Sequence, residues 1–418
     1  MNYSQVQTHK WLKIAFLNLL IVALLGTLMR YKIAYSFPFI EQKKFMNAHS
    51  HFAFAGWISQ ALMVLMVNYL STLTTKSVFK KYRWVFIANL VTAYGMLLTF
   101  PWEGYGFLSI IFSTLSIFVS YAFAFIYWRD INKIKIKSVA HYWFTAALIF
   151  NVISSAGPFF LAYMMANNWH HPNLFLATLY YFLHFQYNGW FFFACAGLFS
   201  SYLNTALVSL RIQKIIFWLF AIACVPAYFL SALWLPMPFL VFMLVVLSAI
   251  AQFAGGFLLI YWVIKKRKLL QSHIGPDSRW ILVLSGIALC IKLFLQLVST
   301  IPSLSSFAFG FRPIVIGYLH LVLLGLITLF IIGYSRANGF LITNKTGNAG
   351  LYLFIGGIIV NELFLMIQGI SYMSFINVAN INVWLLAAAG LLFTGALLMM
   401  IGQWKKQKIN TYRNLIAL

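Results

Sequence analysis

The sequence predicts an all-α polytopic membrane protein of about twelve transmembrane helices, in three quasi-repeated groups of four. Three observations carry this. The chain is 63% hydrophobic and only 8% charged over 418 residues, a composition that no water-soluble domain of this size shares. Apolar runs recur at spanning length from end to end, with connections too short to hold a soluble domain. The segment H-x4-G occurs three times, as His51 to Gly56, His184 to Gly189 and His320 to Gly325, at separations of 133 and 136 residues. With 9 His and 25 Gly in the chain, chance supplies about half of one such pair, so three at near-equal spacing inside apolar segments read as an internal repeat.

The first span, 11–29, follows a short polar N-terminus without a clear small-residue cleavage site, and reads as an uncleaved helix. The second is 49–71, the third 84–100 and the fourth 106–128. The fifth, 140–165, contains Asn151 and Ser154-Ser155-Ala156-Gly157-Pro158, which predict a kink. The sixth, 174–203, carries His184. The seventh, 213–233, and the eighth, 237–264, are separated only by Trp234 to Pro236. The ninth, 280–300, holds Lys292. The tenth, 313–335, carries His320, the eleventh, 350–371, holds Glu362, and the twelfth is 382–403. No linker divides the chain, so residues 1–418 form a single integral-membrane domain.

The net charge of +24 orients the protein and is no sign of nucleic-acid binding. Of the 29 Lys and Arg, 23 lie on the side of alternate connections and both termini, including Lys10, Lys13, Lys76, Lys405, Lys406, Lys408 and Arg413. The opposite side holds Arg30, Lys32, Lys43, Lys44 and Arg312. The positive-inside rule then places both termini in the cytoplasm, as expected for a bacterial inner-membrane protein in contact with lipid. Cys195, Cys224 and Cys290 are isolated in apolar segments and read as core residues, with no covalent-heme or zinc spacing.

Spans two, six and ten all run from outside to inside, so a repeat about the membrane normal brings their histidines to similar depth around a bundle interior. Ionisable groups inside a membrane are costly and mark functional sites. Span two offers both His49 and His51. They point about 200° apart on a helix, so only one faces a given ligand; the internal repeat favours His51. Histidines facing a bundle interior are candidate metal or heme ligands. Ser50, Ser59 and Gln60 are candidate partners for the imidazoles, and the nearby glycines admit either a flat macrocycle or close helix packing.

These motifs resemble the heme–copper oxidase superfamily, subunit I, whose twelve helices form three arcs. Gly317-Tyr318-Leu319-His320 is similar to its G-H-x-H on helix ten, with Tyr318 in place of the first histidine. The resemblance implies that His320 and a helix-two histidine, His49 or His51, bind a low-spin heme of b type. It implies that His184, in a segment similar to the H-x-x-x-E-G of nitric oxide reductases with Asn188 for Glu, is a copper ligand. It also implies electron-donor or other oxidase subunits as partners and oxidase or nitric oxide reductase chemistry. The chain departs from the pattern where helix seven has no histidine and where Tyr318 removes the high-spin heme ligand. The expectation is therefore one low-spin heme beside a degenerate or remodelled heme–copper centre. Two other classes remain: a non-enzymatic heme or metal protein similar to those of the nitric oxide response, in which both His49 and His51 matter, and a cofactor-free transporter using Lys292, Glu362 and the histidines.

Among the other polar groups, Lys292 and Glu362 are expected to form a buried ion pair. Glu103 reads as an exposed loop acid. His170 and His171 read as a solvated pair, and His9, His141 and His273 as interfacial residues.

Overall fold

The computed structural model describes residues 3–74, 78–203, 208–304 and 311–404. Lys76, Lys405, Lys406, Lys408 and Arg413, used for orientation above, lie outside the described residues. Every regular element among the described residues is helical. Ten helices are long and apolar enough to cross a membrane: α1 Tyr3–Tyr35, α2 Gln42–Thr72, α3 Phe79–Glu103, α4 Phe107–Asn132, α5 Val139–Ala166, α8 Phe239–Lys265, α9 Pro276–Val298, α10 Arg312–Ala337, α11 Lys345–Met373 and α12 Ile381–Trp404. Between α5 and α8 come α6, helical over 172–200, and α7. The latter is Leu210–Cys224 followed by a 3-10 turn, Pro226–Ala232, bent by 50°. Pro226 lacks the N–H that would continue the helix, which accounts for the bend.

The chain is thus an all-α polytopic membrane protein. Ten spans, or eleven with bent α7, meet the measure of length and apolarity, against about twelve expected. The difference lies in α6, whose centre, His184-Phe185-Gln186-Tyr187-Asn188-Gly189-Trp190, is too polar to count as lipid-soluble although the helix is continuous. Its polarity is admissible because Phe185–Phe191 is buried throughout and meets no lipid. Where a kink was expected in α5, the helix is interrupted at Ser155, between a segment ending at Ser154 and one beginning at Ala156.

Consecutive helices pack in order, and α12 returns to pack on α1. At the centre α2, α6 and α10 touch one another. Each is buried all round over a long stretch: Gln60–Leu70 in α2, Phe185–Phe191 in α6, and the segment from Gly325 to Ser335 in α10. A helix buried on every face is a core helix. The three H-x4-G segments therefore form the axis of the molecule.

All three axial helices share a local feature. Each passes from α- to π-helix at its motif: Ala53–Ser59, Phe185–Phe191 and Leu321–Thr328. π-Helical turns are rare and concentrate at functional sites. A widened turn strains the ordinary backbone ladder, and side chains from neighbouring helices reach carbonyls there. Asn18 Nδ2 donates to Gly56 O at 2.6 Å and Asn89 Nδ2 to Ala55 O at 2.9 Å. Ser285 Oγ donates to Leu326 O at 2.8 Å, and the Cys224 thiol lies 3.9 Å from Asn188 O.

The motifs also pin the helices together. Trp57 Nε1, one residue after Gly56, donates to Thr328 Oγ1, three residues after Gly325, at 2.9 Å. Trp190 Nε1, one residue after Gly189, donates to Ser59 Oγ, three residues after Gly56, at 3.2 Å. The third equivalent pair, Leu326 and Phe192, is apolar. Two of three sides of a quasi-threefold arrangement thus carry the same indole-to-hydroxyl bond.

Candidate functional site

The histidines of the axial helices differ in what their ring nitrogens do. On α2, His49 Nδ1 lies 3.0 Å from the Val22 carbonyl of α1. On α10, His320 Nδ1 lies 2.8 Å from the Ile316 carbonyl, one turn earlier. Since a carbonyl only accepts, both rings carry the proton on Nδ1 and expose the Nε2 lone pair. Among the described residues, neither Nε2 has a hydrogen-bond partner. Both histidines are half-buried. They are within electrostatic range of one another. Ser50, Ser59 and Gln60 do not hold the imidazoles. Ser50 bonds Asn47 O, Ser59 accepts from Trp190, and Gln60 accepts from Asn89.

His51 faces elsewhere. Its ring stacks on Phe100 at 4.5 Å between centroids, and its Nε2 lies 3.2 Å from the Tyr105 hydroxyl, in the connection between α3 and α4. Of the two α2 candidates, His49, and not the repeat-favoured His51, lies within electrostatic range of His320. The reason is the opposed direction of residues two apart on a helix.

His184, 0% exposed, has both ring nitrogens engaged. Nε2 donates to Cys224 O at 2.9 Å, and Nδ1 accepts from Asn188 Nδ2 at 3.1 Å. Tyr318, in the place of a second α10 histidine, sets its ring against Tyr187 of α6, with centroids 6.4 Å apart. Among the described residues, no three His, Cys, Asp or Glu side chains converge as a metal-binding group.

Lys292 and Glu362 do not pair, which corrects the expected ion pair: Lys292 faces Phe192 of α6, whereas Glu362 faces Gly317 of α10. Lys292, 2% exposed, donates to Gln296 Oε1 at 3.0 Å and sits 5.6 Å over the Phe192 ring, near Cys224 and His184. Glu362 accepts from Asn361 Nδ2 at 3.3 Å and faces Gly317 of α10. Glu103 accepts the Ser109 N–H at 2.6 Å and so caps the first turn of α4. His141, 5% exposed, closes a capping box with Ser138 at the start of α5 and is no surface residue. The motif glycines serve helix packing at two of three sites. A Cβ on Gly189 would come 2.6 Å from Phe150 Cβ, and one on Gly325 3.3 Å from Ala288 Cβ.

Two neutral imidazoles are too few donors for a zinc or copper ion, which needs three or four. They suit a metal that brings its own equatorial donors, as iron does in a tetrapyrrole. In donor type and number, His49 and His320 would suit a heme, while His184, with both ring nitrogens engaged, does not fit a copper ion. No family model matches the chain, and no curated protein matches it in sequence.

Proposed function

We propose that the protein is a membrane redox protein holding one low-spin heme of b type between His49 of α2 and His320 of α10. One observation carries this reading: two imidazoles on adjoining helices, within electrostatic range of one another, each fixed through Nδ1 by a backbone carbonyl that leaves Nε2 as the lone-pair nitrogen. When bound, the heme supplies one-electron chemistry. The chain's own residues orient the imidazoles, and the axial helices, joined through Trp57 and Thr328, fix their separation. The likeness to oxidase subunit I extends to the heme site only. The engaged His184, Tyr318 and the broken α7 argue against a copper ion and a second heme, so electron passage is favoured over oxygen reduction. The charge asymmetry supports a bacterial inner membrane with both termini in the cytoplasm, and an electron-donor subunit is the partner this chemistry requires. The reduced-minus-oxidised spectrum of purified protein tests the reading. Low-spin bis-imidazole bands are expected, lost in His320→Ala and His49→Ala and kept in His51→Ala. Purified protein without heme refutes it.

A further inference from the structure

The connection between α8 and α9 carries the densest run of positive charge among the described residues. Lys265-Lys266-Arg267-Lys268 is followed, at the start of α9, by Arg279. Asp277 is the only acid from 265 to 280, and it lies 3.9 Å from Arg336 of α10. Among the described residues, no acid forms an ion pair with any of these five cations.

The run is fixed in place. Arg267–His273 forms a short helix, anchored by Leu270, which is buried in a cluster with Leu203 and Val208. Arg279 Nη2 donates to Gln271 O at 3.3 Å and to Ile274 O at 3.1 Å, tying that helix to the start of α9. The Arg279 Nε–H is buried without a partner among the described residues. Lys265 Nζ sits 4.8 Å over the Trp262 ring, an aromatic and cationic pairing typical of the level where lipid headgroups begin.

Beside Arg279 a groove of about 410 Å³ opens, lined by Pro276, Arg279, Trp280, Val283 and Leu284. Trp280 is held by stacking on Tyr352 of α11, with centroids 5.5 Å apart and planes 15° from parallel. Beyond the groove, Val283, Ile287 and Ile291 are exposed at successive turns of α9. The groove therefore leads from a guanidinium into an apolar stripe. A neutral lipid would leave the cations unanswered, and a free anion would leave the apolar walls unused.

We propose that this groove binds an anionic phospholipid, with its phosphate on Arg279 and the 265–268 run and its acyl chain along Trp280, Val283 and Leu284. Clustered cations beside a membrane span attract anionic headgroups, and a guanidinium meets a phosphate through charge-assisted, two-pronged hydrogen bonds.

The test uses the full chain, purified in neutral detergent and stripped of lipid, with native mass spectrometry counting the lipid retained from graded dioleoyl phosphatidylglycerol or dioleoyl phosphatidylcholine. The wild type is expected to hold one phosphatidylglycerol at least about tenfold more tightly than phosphatidylcholine. Arg279→Gln, and the double variant Arg267→Gln with Lys268→Gln, should each weaken phosphatidylglycerol about fivefold or more. Val283→Trp, which fills the groove and leaves every cation in place, should weaken both lipids. Arg267 and Lys268 are exposed, so their double variant carries the test should Arg279→Gln fail to fold. Equal retention of the two lipids by the wild type overturns the proposal, as does phosphatidylglycerol binding that Val283→Trp leaves unchanged. So does an equal loss in Lys135→Gln with Lys137→Gln, two exposed cations between α4 and α5, which would mean diffuse attraction to the whole charged face. Displacement of the lipid by glycerol 3-phosphate at equal concentration would assign the site to a free phosphate and overturn it too. None of these results bears on the heme reading.

Discussion

Replacing Trp57 with phenylalanine removes the indole N–H that donates to Thr328 Oγ1 at 2.9 Å and joins α2 to α10. Trp57 is 1% exposed and Thr328 0%, so water cannot replace the lost bond. The bond itself contributes about 1 kcal/mol, nearer 0.6 if it behaves as the average interhelical bond in a membrane. The smaller ring leaves roughly 40 Å³ of cavity, worth about 1 kcal/mol at about 24 cal/mol per Å³. The total is about 1.5–2 kcal/mol. Thr328→Val leaves the indole donor buried without an acceptor and costs about 1–3 kcal/mol. Because each single substitution breaks the same bond, the double variant should cost less than the sum, by about 0.6–1.7 kcal/mol. Equilibrium unfolding in mixed micelles of rising dodecyl sulfate content, followed by circular dichroism, measures all four corners of this cycle. A coupling within about 0.3 kcal/mol of zero would mean that the indole-to-hydroxyl bond does not hold the axial helices together.

Three further outcomes follow from the packing. Lys292 is buried without an acid beside it, so Lys292→Met should raise stability by about 1–3 kcal/mol in the same unfolding assay; a loss of stability would show that the ammonium has a stabilising partner. A Cβ on Gly350 would stand 2.5 Å from Met399 N and 2.8 Å from Gly395 O. Gly350→Ala must therefore separate the α11 and α12 backbones, costing about 1–3 kcal/mol, and an unchanged unfolding midpoint would contradict the close crossing. Asp130 accepts from Lys81 at 2.6 Å and from Tyr82 Oη at 3.0 Å. Asp130→Ala should lower stability by about 1–2 kcal/mol, less so in high salt, because part of the interaction is an exposed charge pair; a salt-independent loss would assign the effect to Tyr82 alone.

The architecture was legible because lipid imposes it: composition and run length announce the spans, and H-x4-G marks the three central helices. The repeat also located the π-helical turns without revealing them, since the shift from i+4 to i+5 bonding leaves no mark in hydropathy. What the sequence concealed was direction. Choosing between His49 and His51 depends on whether Val22 and Gly26 of α1 or Phe100 and Tyr105 lie against each ring. The imidazole partners were missed because they are backbone carbonyls, which every residue carries. The Lys292–Glu362 pairing failed because complementary charge at similar depth says nothing about which neighbour each side chain faces.

The central claim, one heme on His49 and His320 with no copper beside it, is tested most directly by a pyridine hemochrome assay with iron and copper quantification on the purified chain. The account predicts one b-type heme and one iron per chain and no stoichiometric copper. Protein lacking iron, or carrying two hemes or a copper ion per chain, would contradict it.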